Sequence, residues 1–138
     1  MNYSSATMAN ITVTNNAESI GGGLTFHNSD YILTHVTVSG NTAGIGGGLF
    51  SNGNATLTNS IIWDNIPQSI IDWGTSTITY SDIQGGWEGE GNIDADPLFC
   101  NPDSYDYTLA ENSPCVGTGE NSANIGPFDL GCGAIMST

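Results

Sequence analysis

The segment Ile20-Gly21-Gly22-Gly23-Leu24 returns as Ile45-Gly46-Gly47-Gly48-Leu49, 25 residues later, and this repetition constrains the fold more than any other feature of the chain. The residues before it return at the same offset, with 8–16 aligning on 33–41. A third copy, 57–65, follows 24 residues on, and a fourth and weaker one, 78–83, comes after an interval of 21. A period in the low twenties marks a solenoid, in which each repeat forms one coil and cannot bury its apolar face alone.

Within each repeat the apolar residues alternate with Thr and Ser, as in Ile11/Val13 and Leu33/Val36/Val38. That period of two, rich in β-branched side chains, predicts a short strand with one buried face. Asn16, Asn41 and Asn65 share a column directly after the strand. Asn tolerates the left-handed backbone of a sharp corner, and stacked Asn amides can hydrogen-bond from coil to coil. The glycine triplet opens backbone conformations closed to other residues and lets neighbouring coils approach, while Leu24 and Leu49 anchor the next short strand. A phosphate cradle would need a strand-glycine-helix context and a cation. No helical periodicity follows either triplet, so the glycines read as architectural. Residues 1–85 are therefore expected to stack as coils of 21–25 residues, each rising by about 4.8 Å, with residues 86–138 as an irregular C-terminal cap.

The chain has no Lys or Arg and 14 Asp plus Glu, a formal net charge of −14. Such a surface repels phosphate backbones and anionic lipid head groups, which excludes nucleic-acid and membrane-surface partners. High net charge alone would suggest disorder, but only 10% of residues are charged and the apolar ones recur in register. No run of 18 apolar residues is present to span a membrane, so no membrane insertion is expected. Repeat sequence begins almost at Met1 without a basic, apolar leader, so the chain reads as a piece of a longer protein. Sequons at Asn2-Tyr3-Ser4, Asn10-Ile11-Thr12 and Asn54-Ala55-Thr56 arise readily by chance in Asn-rich repeats.

The GGGL-type motif alternating with Leu57-Thr58-Asn59-Ser60-Ile61-Ile62-Trp63-Asp64-Asn65 resembles right-handed parallel β-helix repeat proteins of the polymorphic outer-membrane and surface-anchored type. The later segments 91–99, 106–109, 113–119 and 124–126 resemble the C-terminal portion common in that group. The resemblance implies an all-β, right-handed parallel β-helix, a secreted or cell-surface location, and little about activity.

From about Trp87 the composition shifts. Eight of the 14 acids lie between residues 82 and 111, and Pro97, Pro102, Pro114 and Pro127 interrupt any ladder. A cap over the last coil would cover an otherwise exposed edge. Cys100, Cys115 and Cys132 all lie in this region and permit one disulfide and one thiol. Cys100–Cys132 is preferred because it ties the cap's entry to its exit; the other two pairings, and three reduced thiols, stay open. A disulfide would fit an oxidising, extracellular location.

Candidate chemistry is sparse. His35 shares a column with Asn10 and Asn59 and is expected as a polar rung; His27 aligns with Asn52 in a solvated turn. Neither lies near a Ser or Cys elbow, so a nucleophilic triad is unsupported. Polysaccharide lyases on β-helices generally use Lys or Arg, which this chain lacks. A glycosidase needs only paired carboxylates, for which Asp64, Asp72 and Asp82 are candidates, with Trp63, Trp73 and Trp87 to stack on sugar rings. Glu88, Glu90, Asp94, Asp96, Asp103 and Asp106 offer hard oxygen ligands of the kind Ca2+ accepts, though their spacing matches no EF-hand and equally suits a solvated acidic surface. The function expected from all this is a non-enzymatic structural or adhesive module that self-associates through its first coil. The alternative is a carbohydrate-binding or carboxylate-based glycan-hydrolysing fragment with polysaccharide as its partner.

Overall fold

The computed structural model describes residues 2–3, 6–28 and 30–135; Met1, and Ser4 of the first sequon, lie outside them. In chain order the strands are β1 (Asn2–Tyr3), β2 (Ala6–Thr14), β3 (Ala17–Ile20), β4 (Leu24–Phe26), β5 (Asp30–Ser39), β6 (Thr42–Ile45), β7 (Leu49–Ser51), β8 (Asn54–Thr58), β9 (Ile61–Trp63), β10 (Ile70–Asp72), β11 (Thr75–Thr79), β12 (Asp82–Ile83), β13 (Phe99–Asn101), β14 (Asp106–Ala110) and β15 (Leu130–Cys132). They form a parallel β-solenoid of about five turns. No helix among the described residues is long and apolar enough to cross a membrane.

Like sits over like. Val13 pairs with Val38, Val38 with Ile62, and Ile62 with Ile83. Met8, Leu33, Leu57 and Ile78 form a second inward column, and Leu24, Leu49 and Ile70 a third. All are buried, so the period-two pattern delivers one continuous apolar core shared by every coil. β5 is long because it bends at His35 without breaking: its first half pairs with β8 and its second with β9.

The glycine triplet is needed for two separate reasons. Gly21 and Gly46 adopt positive φ, +60° and +62°, which glycine reaches without strain. The following glycines are pressed against the next coil: a Cβ on Gly22 would lie 2.5 Å from the Thr42 carbonyl oxygen, and one on Gly47 2.2 Å from that of Ile66. Through this turn the backbone ladder continues, with Gly21, Gly22, Gly23 and Leu24 N–H donating to carbonyls of residues 45–48 at 2.9–3.2 Å.

The asparagine column does form an amide ladder. Asn16 Nδ2 donates to Asn41 Oδ1 at 3.0 Å, and Asn41 Nδ2 to Asn65 Oδ1 at 2.9 Å. The left-handed corner is displaced from it by one residue, however, onto Asn15, Gly40 and Asp64 (φ 55°, 69° and 56°). This corrects the sequence expectation. The corner residue turns the chain; the Asn that follows stitches coils together, with Asn41 and Asn65 buried and Asn16 at the exposed end of the ladder. A second left-handed column holds Asn10, His35, Asn59 and Tyr80.

The last coil is closed by residues 90–93: Tyr80 N–H donates to the Glu90 carbonyl, Ile83 N–H to that of Ile93, and Ile93 N–H to that of Ser81. Beyond this point the C-terminal region does more than cover an end. Its sheet, β13 antiparallel to β14 and β14 parallel to β15, lies along the flank of the coils. A second apolar cluster joins Phe99, Tyr107, Leu109, Cys115 and Ile125 to Ile61, with Trp63 and Ile93 packed against it. The cause lies in β9, where Ile61 and Trp63 project to the outer side while Ile62 enters the core. A strand apolar on both faces needs cover on both. Cys100 and Cys132 are joined across this segment, and Cys115 is a buried thiol.

Candidate functional site

Asp82 stands directly under Ile61 in the ladder and so projects outward, into the seam between the coils and the C-terminal segment. It is fully buried. Its Oδ1 accepts the Ala95 N–H at 3.1 Å, and its Oδ2 accepts the Cys115 thiol at 3.2 Å. Burial pushes the Asp82 carboxyl up to about 6, partly offset by these donors and reinforced by Asp94 and Asp96. Burial and the adjacent carboxylate likewise push the Cys115 thiol up.

Two more contacts pin the same seam. Nδ1 of His35 lies 3.0 Å from the Gly126 carbonyl oxygen; a carbonyl only accepts, so Nδ1 carries the proton and Nε2 faces the Asn59 amide at 3.5 Å. Asn59 Oδ1 accepts the Glu120 N–H at 2.7 Å, and its carbonyl accepts the Gly126 N–H. His35 is thus the polar rung its column suggests, with the added task of holding a distant segment 91 residues away. His27 is exposed, with Nδ1 3.2 Å from the Asn52 amide.

The three carboxylates considered for glycan hydrolysis have different surroundings. Asp64 occupies the left-handed corner after β9, exposed, its N–H donating to Gln84 Oε1 at 2.8 Å. Partial desolvation and then Asp96 raise its carboxyl from the ordinary value. Asp72 ends β10 in another sheet and accepts the Gly74 N–H at 2.9 Å. Asp82 is enclosed as described. Among the three tryptophans, Trp63 packs on the flank cluster and Trp87 against the coil core. Only Trp73 stands well out of the surface, 68% exposed, with its ring edge-on to Phe50 at 4.9 Å.

The acids considered for calcium are spread along the C-terminal region. Glu88, Glu90, Asp94, Asp96 and Asp103 are exposed and Asp106 is half-buried. Asp94 accepts the Gly85 N–H, Asp96 that of Leu98, and Asp106 that of Thr108. The Asp96 and Asp106 bonds, to residues two further on, are turn chemistry, whereas Asp94 reaches back nine residues to Gly85. Among the described residues no three His, Cys, Asp or Glu side chains gather as a metal-holding group.

Two grooves are not legible in the repeats: one lies between successive turns of the chain, and the other joins residues far apart in it. One, about 460 Å³, opens at the end of the coil stack between Ser69, Ile70, Ile83 and Trp87. The other, about 330 Å³, lies at the seam and is lined by Asn10, His35, Asn124, Phe128 and Asp129. Asp64, Asp72 and Asp82 line neither. No protein-family model matches the chain, and comparisons with curated proteins and with solved structures return no significant match.

Proposed function

We propose that this chain is a non-enzymatic structural or adhesive module, part of a larger secreted or cell-surface β-helix protein of the polymorphic outer-membrane repeat type. The observation that carries this reading is where the polar side chains are spent. Asn16, Asn41 and Asn65 form one coil-to-coil ladder. Ser60 and Ser81 form another, accepting the Val36 and Ser60 N–H groups. Chemistry that an enzyme would direct at a substrate here holds the stack rigid. The Cys100–Cys132 bridge supports an oxidising location.

Self-association belongs to the same reading. Among the described residues β2 pairs with β5, and the edge of a nine-residue strand is of the kind that can add a strand from a second molecule. The uncompensated charge of −14 opposes it.

The exposed ring of Trp73 favours a second reading, glycan binding. Its ring packs T-shaped with Phe50 and is 68% exposed, and an exposed aromatic ring suits the C–H face of a sugar. A glycan array combined with a polysaccharide hydrolysis screen separates the two. The structural reading predicts no hydrolysis of any substrate. Hydrolysis lost in Asp64→Asn or Asp82→Asn would overturn it, whereas binding without turnover that is lost in Trp73→Ala would establish the second.

A further inference from the structure

The seam between coils and C-terminal segment is separate from the coil core and has its own apolar cluster, in which Ile61 of the coils meets Phe99, Tyr107, Leu109, Cys115 and Ile125 of the segment. The segment is closed on itself by β13–β14–β15 and by the Cys100–Cys132 bridge. At the seam sits a carboxylate with no accessible surface, whose side-chain partners are one backbone N–H and one thiol, the latter a weak donor. The titratable groups facing Asp82 are Cys115, Asp94 and Asp96, all from the segment, and Asp64 of the coils faces Asp96 in turn. Every one is an acid, and the chain holds no Lys or Arg to compensate a buried negative charge.

We propose that buried Asp82 is a pH-sensitive latch at this seam: with Asp82 protonated the C-terminal segment is held closed on the flank of the coils, and ionisation of Asp82 loosens it. Burying an unpaired carboxylate is costly, whereas burying a carboxylic acid is not. The latch therefore closes in acid and weakens toward neutrality. A carboxyl raised from 3.8 to about 6 allows the opening equilibrium to rise by up to about a hundredfold across that interval, since each pKa unit is a factor of ten.

Cys115 supplies its own reporter, being the one cysteine outside the disulfide and buried when the latch is shut. Its alkylation by iodoacetamide, divided by the rate for N-acetylcysteine at the same pH, measures opening. Between pH 4.5 and 7.5 the ratio is expected to rise more than tenfold in the wild type and to stay flat in Asp82→Asn. The amide in that variant still accepts from Ala95 and adds no charge. Hydrogen exchange over the same range locates the opening, with protection expected to fall across 97–126 while β5 and β8 stay protected. Equal pH dependence in wild type and Asp82→Asn would overturn the latch, as would parallel loss of protection in β5 and β8, which would mean global unfolding.

Discussion

Two residues carry the sharpest energetic consequences. A methyl group on Gly47 would meet the Ile66 carbonyl at 2.2 Å, with neighbouring backbone atoms at 2.5 and 2.6 Å. Backbone held by a ladder on both sides has nowhere to retreat, so Gly47→Ala is expected to cost about 2–4 kcal/mol or to block folding. Denaturant titration checks this against Gly133→Ala, where nothing lies within 4 Å. Asp82 acts in the opposite sense. Its folded-state pKa is raised from 3.8 to about 6, so the folded protein binds this proton more tightly than the unfolded chain. Its contribution is fully present below pH 3.8 and is lost as pH climbs through 6, about 3 kcal/mol in all for roughly two units. Asp82→Asn should therefore be more stable than wild type at pH 7 and no more stable at pH 4. A variant that is less stable at pH 7 would refute the assignment. The sequence shows Asp82 as one more acid near the end of a repeat, because its enclosure depends on Cys115, 33 residues away. The corners were half legible. Asn15-Asn16 and Asp64-Asn65 each offer two residues suited to a left-handed turn, and only the ladder decides that the first takes it.

Among the elements, the asparagine ladder and the C-terminal sheet differ in how openly the sequence declares them. The ladder follows from the period. Asn41 is fully buried, donates to the Val13 and Ser39 carbonyls as well as to Asn65, and accepts from Asn16. Asn41→Ala orphans several of these groups and should cost about 2–4 kcal/mol, whereas Asn16→Ala, at the exposed end, should cost about 1 kcal/mol or less. Comparable losses at both sites would mean the amides do not act as a ladder. The C-terminal sheet has no periodicity, so its position along the flank is not legible in the repeats. The available signal was Ile61-Ile62-Trp63, apolar at both parities where the earlier coils read Thr12-Val13-Thr14 and Thr37-Val38-Ser39. The bridge preferred on sequence, Cys100–Cys132, is the one present. It closes a loop with a sequence separation of 32, and loop-closure entropy assigns it about 3–4 kcal/mol. Cys100→Ser/Cys132→Ser should fall by that amount in chemical denaturation, and an unchanged midpoint would show that the segment needs no staple.

At the scale of the whole molecule, the chain carries 14 acids and no Lys or Arg, so repulsion between copies opposes the self-association proposed above. Sedimentation should show association that strengthens as salt screens the charges; a monomer at every concentration and salt would remove self-association from the proposed function. Both the rigidity of the module and the position of its C-terminal latch depend on coils lying in vertical register. That register is tested most directly by methyl–methyl NOE spectroscopy on protein labelled at Val and Ile methyls. Val38 methyls are expected to show cross-peaks to both Val13 and Ile62, and Ile62 to Ile83, the pairs that the ladder stacks. If Val38 instead contacts neither Val13 nor Ile62, the coils are not stacked as described and the account is contradicted.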